Sequence, residues 1–144
     1  MMAKPAGDIA DVLGQDHGVC MPDGIAVGGF DLVSYRQDGG PFLGEPGFAV
    51  DFEGARYLFI SEENRQAFEA SPKKYLPRYG GWCAVTLALG RLTCPDYTNF
   101  QIEDGELLLF ETTGFTNGRV LWNTDAAAFR KKADDNYTKL NNSE

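Results

Sequence analysis

Two dipeptides, Glu53-Gly54 and Asp104-Gly105, each sit between runs of alternating apolar residues. Phe48, Val50 and Phe52 alternate with Ala49 and Asp51 before the first, and Tyr57 and Phe59 continue the alternation after it. Ile102 precedes the second dipeptide, and Leu107 and Leu109 follow it. A period of two places one set of side chains on a single face of a strand. A short Gly-containing dipeptide supplies the left-handed backbone that a tight hairpin turn needs. Hairpins are therefore predicted over residues 48–60 and 100–110, paired in an antiparallel sheet.

Helical signals follow each hairpin. Ser61 has the form of an N-cap, with Glu62 and Glu63 in a first turn where negative charge suits the helix dipole. Ala67 and Phe68 give this helix a core-facing side. Ser71-Pro72 opens a further helical turn, since proline is tolerated at the first helical position. Gly80-Gly81 breaks the chain, and the apolar stretch from Trp82 to Leu89 ends at Gly90, a helix stop. Residues 125–140 read as a C-terminal helix whose buried stripe is Phe129, Ala133 and Tyr137, spaced by four. Trp122 reads as a core aromatic. Ile9, Ala10, Val12 and Leu13 fit one or two helical turns, and residues 15–20 read as loop. The fold class is α+β, a small single domain of antiparallel β-hairpins packed with short helices and a C-terminal helix. Residues 1–24 form an N-terminal lead-in, 25–140 the domain, and 141–144 a C-terminal tail.

At 144 residues, with 43% hydrophobic and 12% aromatic residues, the chain is large enough to bury a core without staples. Its formal charge is −8. Lys73-Lys74 and Lys131-Lys132 are isolated pairs, so nothing offsets the negative field. Nucleic acid is excluded as a partner, as is electrostatic adhesion to an anionic membrane. No run of about 18 apolar residues is present, so no membrane span is expected. The first residues lack the apolar stretch of a signal peptide. Two localisations stay open, cytoplasmic or exported with the leader absent from this sequence. A protein partner or a homo-oligomer stays open too. Asn136-Tyr137-Thr138 and Asn141-Asn142-Ser143 match the glycosylation pattern, a short match that chance readily supplies.

The cysteines are Cys20, Cys83 and Cys94. Three cannot all pair within one chain; a single bridge between Cys20 and Cys94 is one arrangement the count allows.

Several segments together resemble the YHS-domain family. Gly29-Phe30-Asp31-Leu32-Val33-Ser34-Tyr35 is similar to the family's Gly-Tyr-Asp-Pro-Val-x-Tyr opening. Residues 54–65 resemble its strand-to-helix element, and Phe68, Pro72, Tyr75 and Pro77 recur at the family's spacing. Tyr79-Gly80-Gly81-Trp82-Cys83-Ala84 resembles the Tyr-Gly-Gly-aromatic-Cys-Ala motif of its longer members. Asp104-Gly105-Glu106-Leu107, Trp122 and Asp125 match weaker positions, so the resemblance spans residues 25–140. Shorter family members bind metal through thiols at positions that correspond to Ser34, Ile60 and Asn64 in this chain. Soft metals need thiolates or imidazoles, so that metal site is not expected.

The resemblance leaves a turn, Gly80 to Cys83, as the expected place for a small molecule or ion. Asp31, Tyr35, Tyr79 and Trp82 are the polar and aromatic groups expected to share a pocket with Gly80, Gly81 and Cys83. Glycines let a backbone approach a ligand closely, and a thiol in a helix's first turn has a lowered pKa. The bland reading makes Cys83 a small buried hydrophobe. Two alternatives stand beside the binding module. One is a metal-binding protein holding Cu or Zn through Cys83 with His17, Cys20 or Cys94. The other is a thiol-dependent enzyme with Cys83 as nucleophile.

Overall fold

A computed structural model describes residues 6–8 and 19–142 of the chain. The helical turns expected over residues 9–13 and the loop up to Gly18 lie outside the described residues. Strand β1 (Ala6–Asp8) pairs antiparallel with β4 (Arg91–Thr93). The first predicted hairpin is β2 (Glu45–Phe52) with β3 (Ala55–Phe59), and the second is β5 (Asp96–Glu103) with β6 (Glu106–Phe110).

The hairpins share one plan. Glu53 and Gly54 have φ of 49° and 85°, and Asp104 and Gly105 have φ of 52° and 81°. Both central residues are left-handed, as the right-handed twist of a two-residue hairpin demands. Each hairpin also slips register near the start of its longer strand, between Glu45 and Ala49 and between Asp96 and Phe100. Such a bulge bends the strand and interrupts its ladder. The expected common sheet does not form among the described residues: three separate strand pairs do.

Three short 3-10 helices (Pro22–Gly24, Ala26–Gly29 and Val33–Arg36) and five α-helices accompany the strands: α1 (Glu62–Ala70), α2 (Pro72–Tyr75), α3 (Ala84–Ala88), α4 (Gly118–Trp122) and α5 (Ala126–Asn142). Ser61 caps α1, its hydroxyl accepting the Asn64 amide at 3.1 Å. Helix α4 is capped by Asn117, whose side-chain oxygen accepts from the amides of Arg119 and Val120. No described helix is long and apolar enough to cross a membrane. Ala133 is fully buried on α5, with Phe129 and Tyr137 half-buried along the same stripe.

Two cores meet at β6. Leu107 and Leu109 enter a core with Tyr57, Phe59 and Phe68, while Leu108 and Phe110 enter another with Leu87, Trp122 and Ala133. All four β6 residues are 0–1% exposed, so both faces of this strand are covered. A run of charges ties the second hairpin's turn to α5. Glu103 accepts from Trp122 Nε1 and Arg130 Nε, each at 2.9 Å. Burial pushes the Glu103 carboxyl up, but those hydrogen bonds and the Arg130 charge leave it below its ordinary range. Arg130 and Arg78 both reach Glu106, and Arg78 continues to Asp134 at 3.0 Å. The Asn136 amide donates to the Leu87 carbonyl at 2.8 Å, closing the end of α3. That sequon's nitrogen is thus already occupied; the side chains of the other, at 141–143, lie outside those described.

The lead-in is fastened to the domain. Cys20 and Cys94 form a disulfide with Cα atoms 5.7 Å apart, and the Cys20 amide donates to the Gly80 carbonyl at 3.0 Å. The bridge spans a sequence separation of 74 residues. A loop of that size stabilises chiefly by restricting the unfolded chain, by about 4 kcal/mol. Cys94→Ser is expected to lose most of that in urea unfolding. Wild-type protein in a dithiol reductant should unfold at the variant's midpoint; an unchanged midpoint would contradict the bridge.

Candidate functional site

Gly80 and Gly81 have φ of 65° and 82°, so the break expected here is a left-handed pair that L side chains enter only with strain. The turn is held on both sides. The Trp82 amide donates to the Tyr79 carbonyl, and the Arg78 amide to the Leu107 carbonyl of β6. Cys83 is the N-cap residue of α3 rather than part of its first turn. Its amide donates to the Thr93 carbonyl at 2.9 Å, and its sulfur accepts the Glu111 amide at 3.1 Å. The side chain is fully buried. Around it the Thr86 and Thr93 hydroxyls lie 2.8 Å apart, and Thr93 donates to Glu111 at 2.7 Å. Cys83 is thus enclosed by satisfied groups, in a five-residue helix too short for a strong dipole.

The other expected ligand-binding residues do not converge on that turn. Asp31 is fully buried. Oδ1 accepts from the amides of Val33 and Ser34 at 2.7 and 3.1 Å, and Oδ2 from the Ile60 amide and the Asn64 side chain at 2.9 and 2.8 Å. Those four bonds tie the chain after Asp31 to the end of β3 and to α1. The Tyr35 hydroxyl donates to the Tyr97 carbonyl at 2.6 Å; burial, then the neighbouring Tyr97 and Asp96, push its pKa far up. Tyr79 donates to Asp134 at 2.6 Å, and burial followed by that carboxylate raises its pKa as well. Trp82 is 2% exposed and belongs to the helical core.

Among the metal candidates, His17 lies outside the described residues. Cys20 and Cys94 are bonded to each other, so neither presents a thiolate, and Cys83 is the free cysteine. No cluster of three His, Cys, Asp or Glu suited to a metal ion occurs among the described residues.

A cavity of about 500 Å³ opens instead beside Gly80, within the size range of small-molecule sites. It lies along the seam between the two cores. One wall is the lead-in from Val19 to Met21 with Ala26 and Val27, and a second is Leu76, Pro77 and Gly80. The first hairpin contributes its turn, Glu53-Gly54, and Tyr57; α5 contributes Tyr137. Val27 is buried with φ 56° and ψ 32°, a left-handed conformation that is an outlier for a β-branched residue. Strain of this kind, about 1–3 kcal/mol, persists only where the surroundings enforce it.

Of the expected binding residues, Gly80 alone lines this cavity. Tyr79 stands behind it, its ring meeting Tyr137 edge to face at 5.6 Å. Tyr57 enters the sequence reading only through the hairpin alternation, and nothing local to Val27 or Leu76 distinguishes a cavity wall from core. No family model, no curated protein and no solved structure matches the chain.

Two measurements follow from this geometry. Asp31→Asn sets an amide N–H against N–H donors and is expected to lose at least about 2 kcal/mol in urea unfolding. Cys83 in the native protein is expected to resist iodoacetamide and to react only on unfolding, followed by mass spectrometry; rapid alkylation would reopen its reading as a nucleophile.

Proposed function

We propose that this chain is a YHS-like binding or accessory module, and that a small molecule occupies the cavity beside Gly80. The cavity carries the reading. It is of ligand size, its walls come from four distant parts of the chain, and it holds apolar side chains with a few polar groups. Sites for organic ligands have that make-up. The bridge through Cys20 holds its lead-in wall in place, and the packing that enforces the left-handed Val27 fixes the same wall.

The family reading draws support from Asp31. Three of the four groups that donate to its carboxylate belong to Ser34, Ile60 and Asn64, the positions that correspond to thiols in the shorter metal-binding members; the fourth is the Val33 amide. A hydrogen-bonded carboxylate then fills the place of a metal in organising the same segments. Binding is favoured over thiol chemistry because the free thiol is enclosed while the cavity is open.

A protein-observed NMR screen with small amphipathic compounds tests the proposal on the whole chain. Hits are expected to shift amide signals of Val19, Ala26, Leu76 and Gly80 together. Leu76→Trp, which fills the cavity from a half-buried position, is expected to weaken them at least about tenfold with the fold retained. A screen in which no compound moves those signals would refute the cavity as a binding site.

A further inference from the structure

Resting on the cavity as a binding site, we propose that its ligand is a monovalent organic cation, an ammonium group on an apolar body. The ammonium is held by Glu53, Tyr57 and Tyr137, and the body lies along Met21, Val27 and Leu76. Among the described residues lining the cavity, Glu53 is the single charged side chain, and none of them is Lys, Arg or His. The chain as a whole carries −8, so the surrounding field favours the same sign of ligand. Arg56, the nearest cation in sequence to the hairpin turn, is engaged by Asp51 at 2.7 Å.

The two phenols suit this role. The Tyr57 ring is buried and packs on Phe68 with centroids 5.1 Å apart, while Tyr137 is braced by Tyr79. Burial, followed by the neighbouring Glu53 and Tyr137, pushes the Tyr57 phenol up to about 12. It therefore stays neutral across the physiological range, and all three groups line the one cavity. Neutral aromatic rings attract cations, more strongly where water is excluded. One carboxylate with two neutral phenols is a poor set for a metal ion, which takes several hard or soft anionic ligands. It matches a large, weakly hydrated ammonium group better. An anionic ligand would meet Glu53 without any compensating charge.

The test is a calorimetric and NMR titration of the intact chain with three probes of one length: butyltrimethylammonium, a neutral alcohol tipped with a tert-butyl group, and hexanoate. The cation is expected to bind about tenfold more tightly than the neutral probe, with hexanoate weakest. Glu53→Gln should abolish the preference for the cation and leave the neutral probe unchanged, and Glu53→Asp should retain it. Equal binding of cation and alcohol, or an unchanged preference in Glu53→Gln, would overturn the assignment while the cavity remains a binding site. If none of the three binds but the compound screen still finds cavity ligands, the cation assignment alone fails. If that screen is blank too, both fall.

Discussion

Strand β6 has no solvent face. Leu107 and Leu109 point into one core and Leu108 and Phe110 into the other, so four residues form the partition on which both are built. A two-stranded hairpin is marginal in water on its own, and the three strand pairs among the described residues do not join into a larger sheet. Each must find its cover elsewhere. β6 receives the first hairpin and α1 on one side, and α3, α4 and α5 on the other. A seam necessarily runs where two cores meet at a strand, and the cavity beside Gly80 lies in it. The Gly80-Gly81 pair directs the chain across this seam, from the segment that follows α2 into the helical core.

Polar groups hold the cover in place on both sides. Asp31 gathers four N–H donors from the loop after it, from β3 and from α1. Buried acceptors so saturated fix the relative position of the segments they join, because any displacement strands a donor. On the opposite side, Glu103, Arg130, Glu106, Arg78 and Asp134 run from the second hairpin's turn to α5 and to the base of the Gly80 turn. These groups position, and none of them faces the cavity. The division explains why the most noticeable polar residues of the sequence are architectural, while the candidate site is formed by an ordinary Glu, two Tyr and aliphatic side chains.

Local signals were readable in advance, and assembled ones were not. The hairpin turns at Glu53-Gly54 and Asp104-Gly105, the Ser61 cap and the α5 stripe each depend on residues within a few positions of one another. Leu108 and Phe110 carried a further hint, since an unbroken apolar run implies a strand buried on both faces. Cys83 illustrates the limit. Its neighbours in sequence allow either a reactive thiol at a helix start or a small buried hydrophobe, and Thr93 and Glu111, from two other segments, enclose it and decide for burial. Asp31 resembled a ligand group because nothing local shows that Ile60 and Asn64 will arrive at its carboxylate. The cavity is a product of long-range assembly throughout, from Val19 to Tyr137, and only Gly80 announced itself through backbone chemistry. The Cys20–Cys94 bridge was one arrangement among those the cysteine count permits; the proximity that selects it is a property of the fold.

That bridge also divides the molecule mechanically. A force applied at positions on either side of residues 20–94 passes through the disulfide and bypasses everything inside the loop. The first hairpin, α1, the Asp31 cluster and the Gly80 turn all lie within it and bear little of the load. The second hairpin and α5 lie outside and bear it directly. The oxidised chain would therefore extend by peeling α5 and the β5–β6 pair away from a shielded remainder. Once the bridge is reduced, the enclosed segment becomes extensible as well.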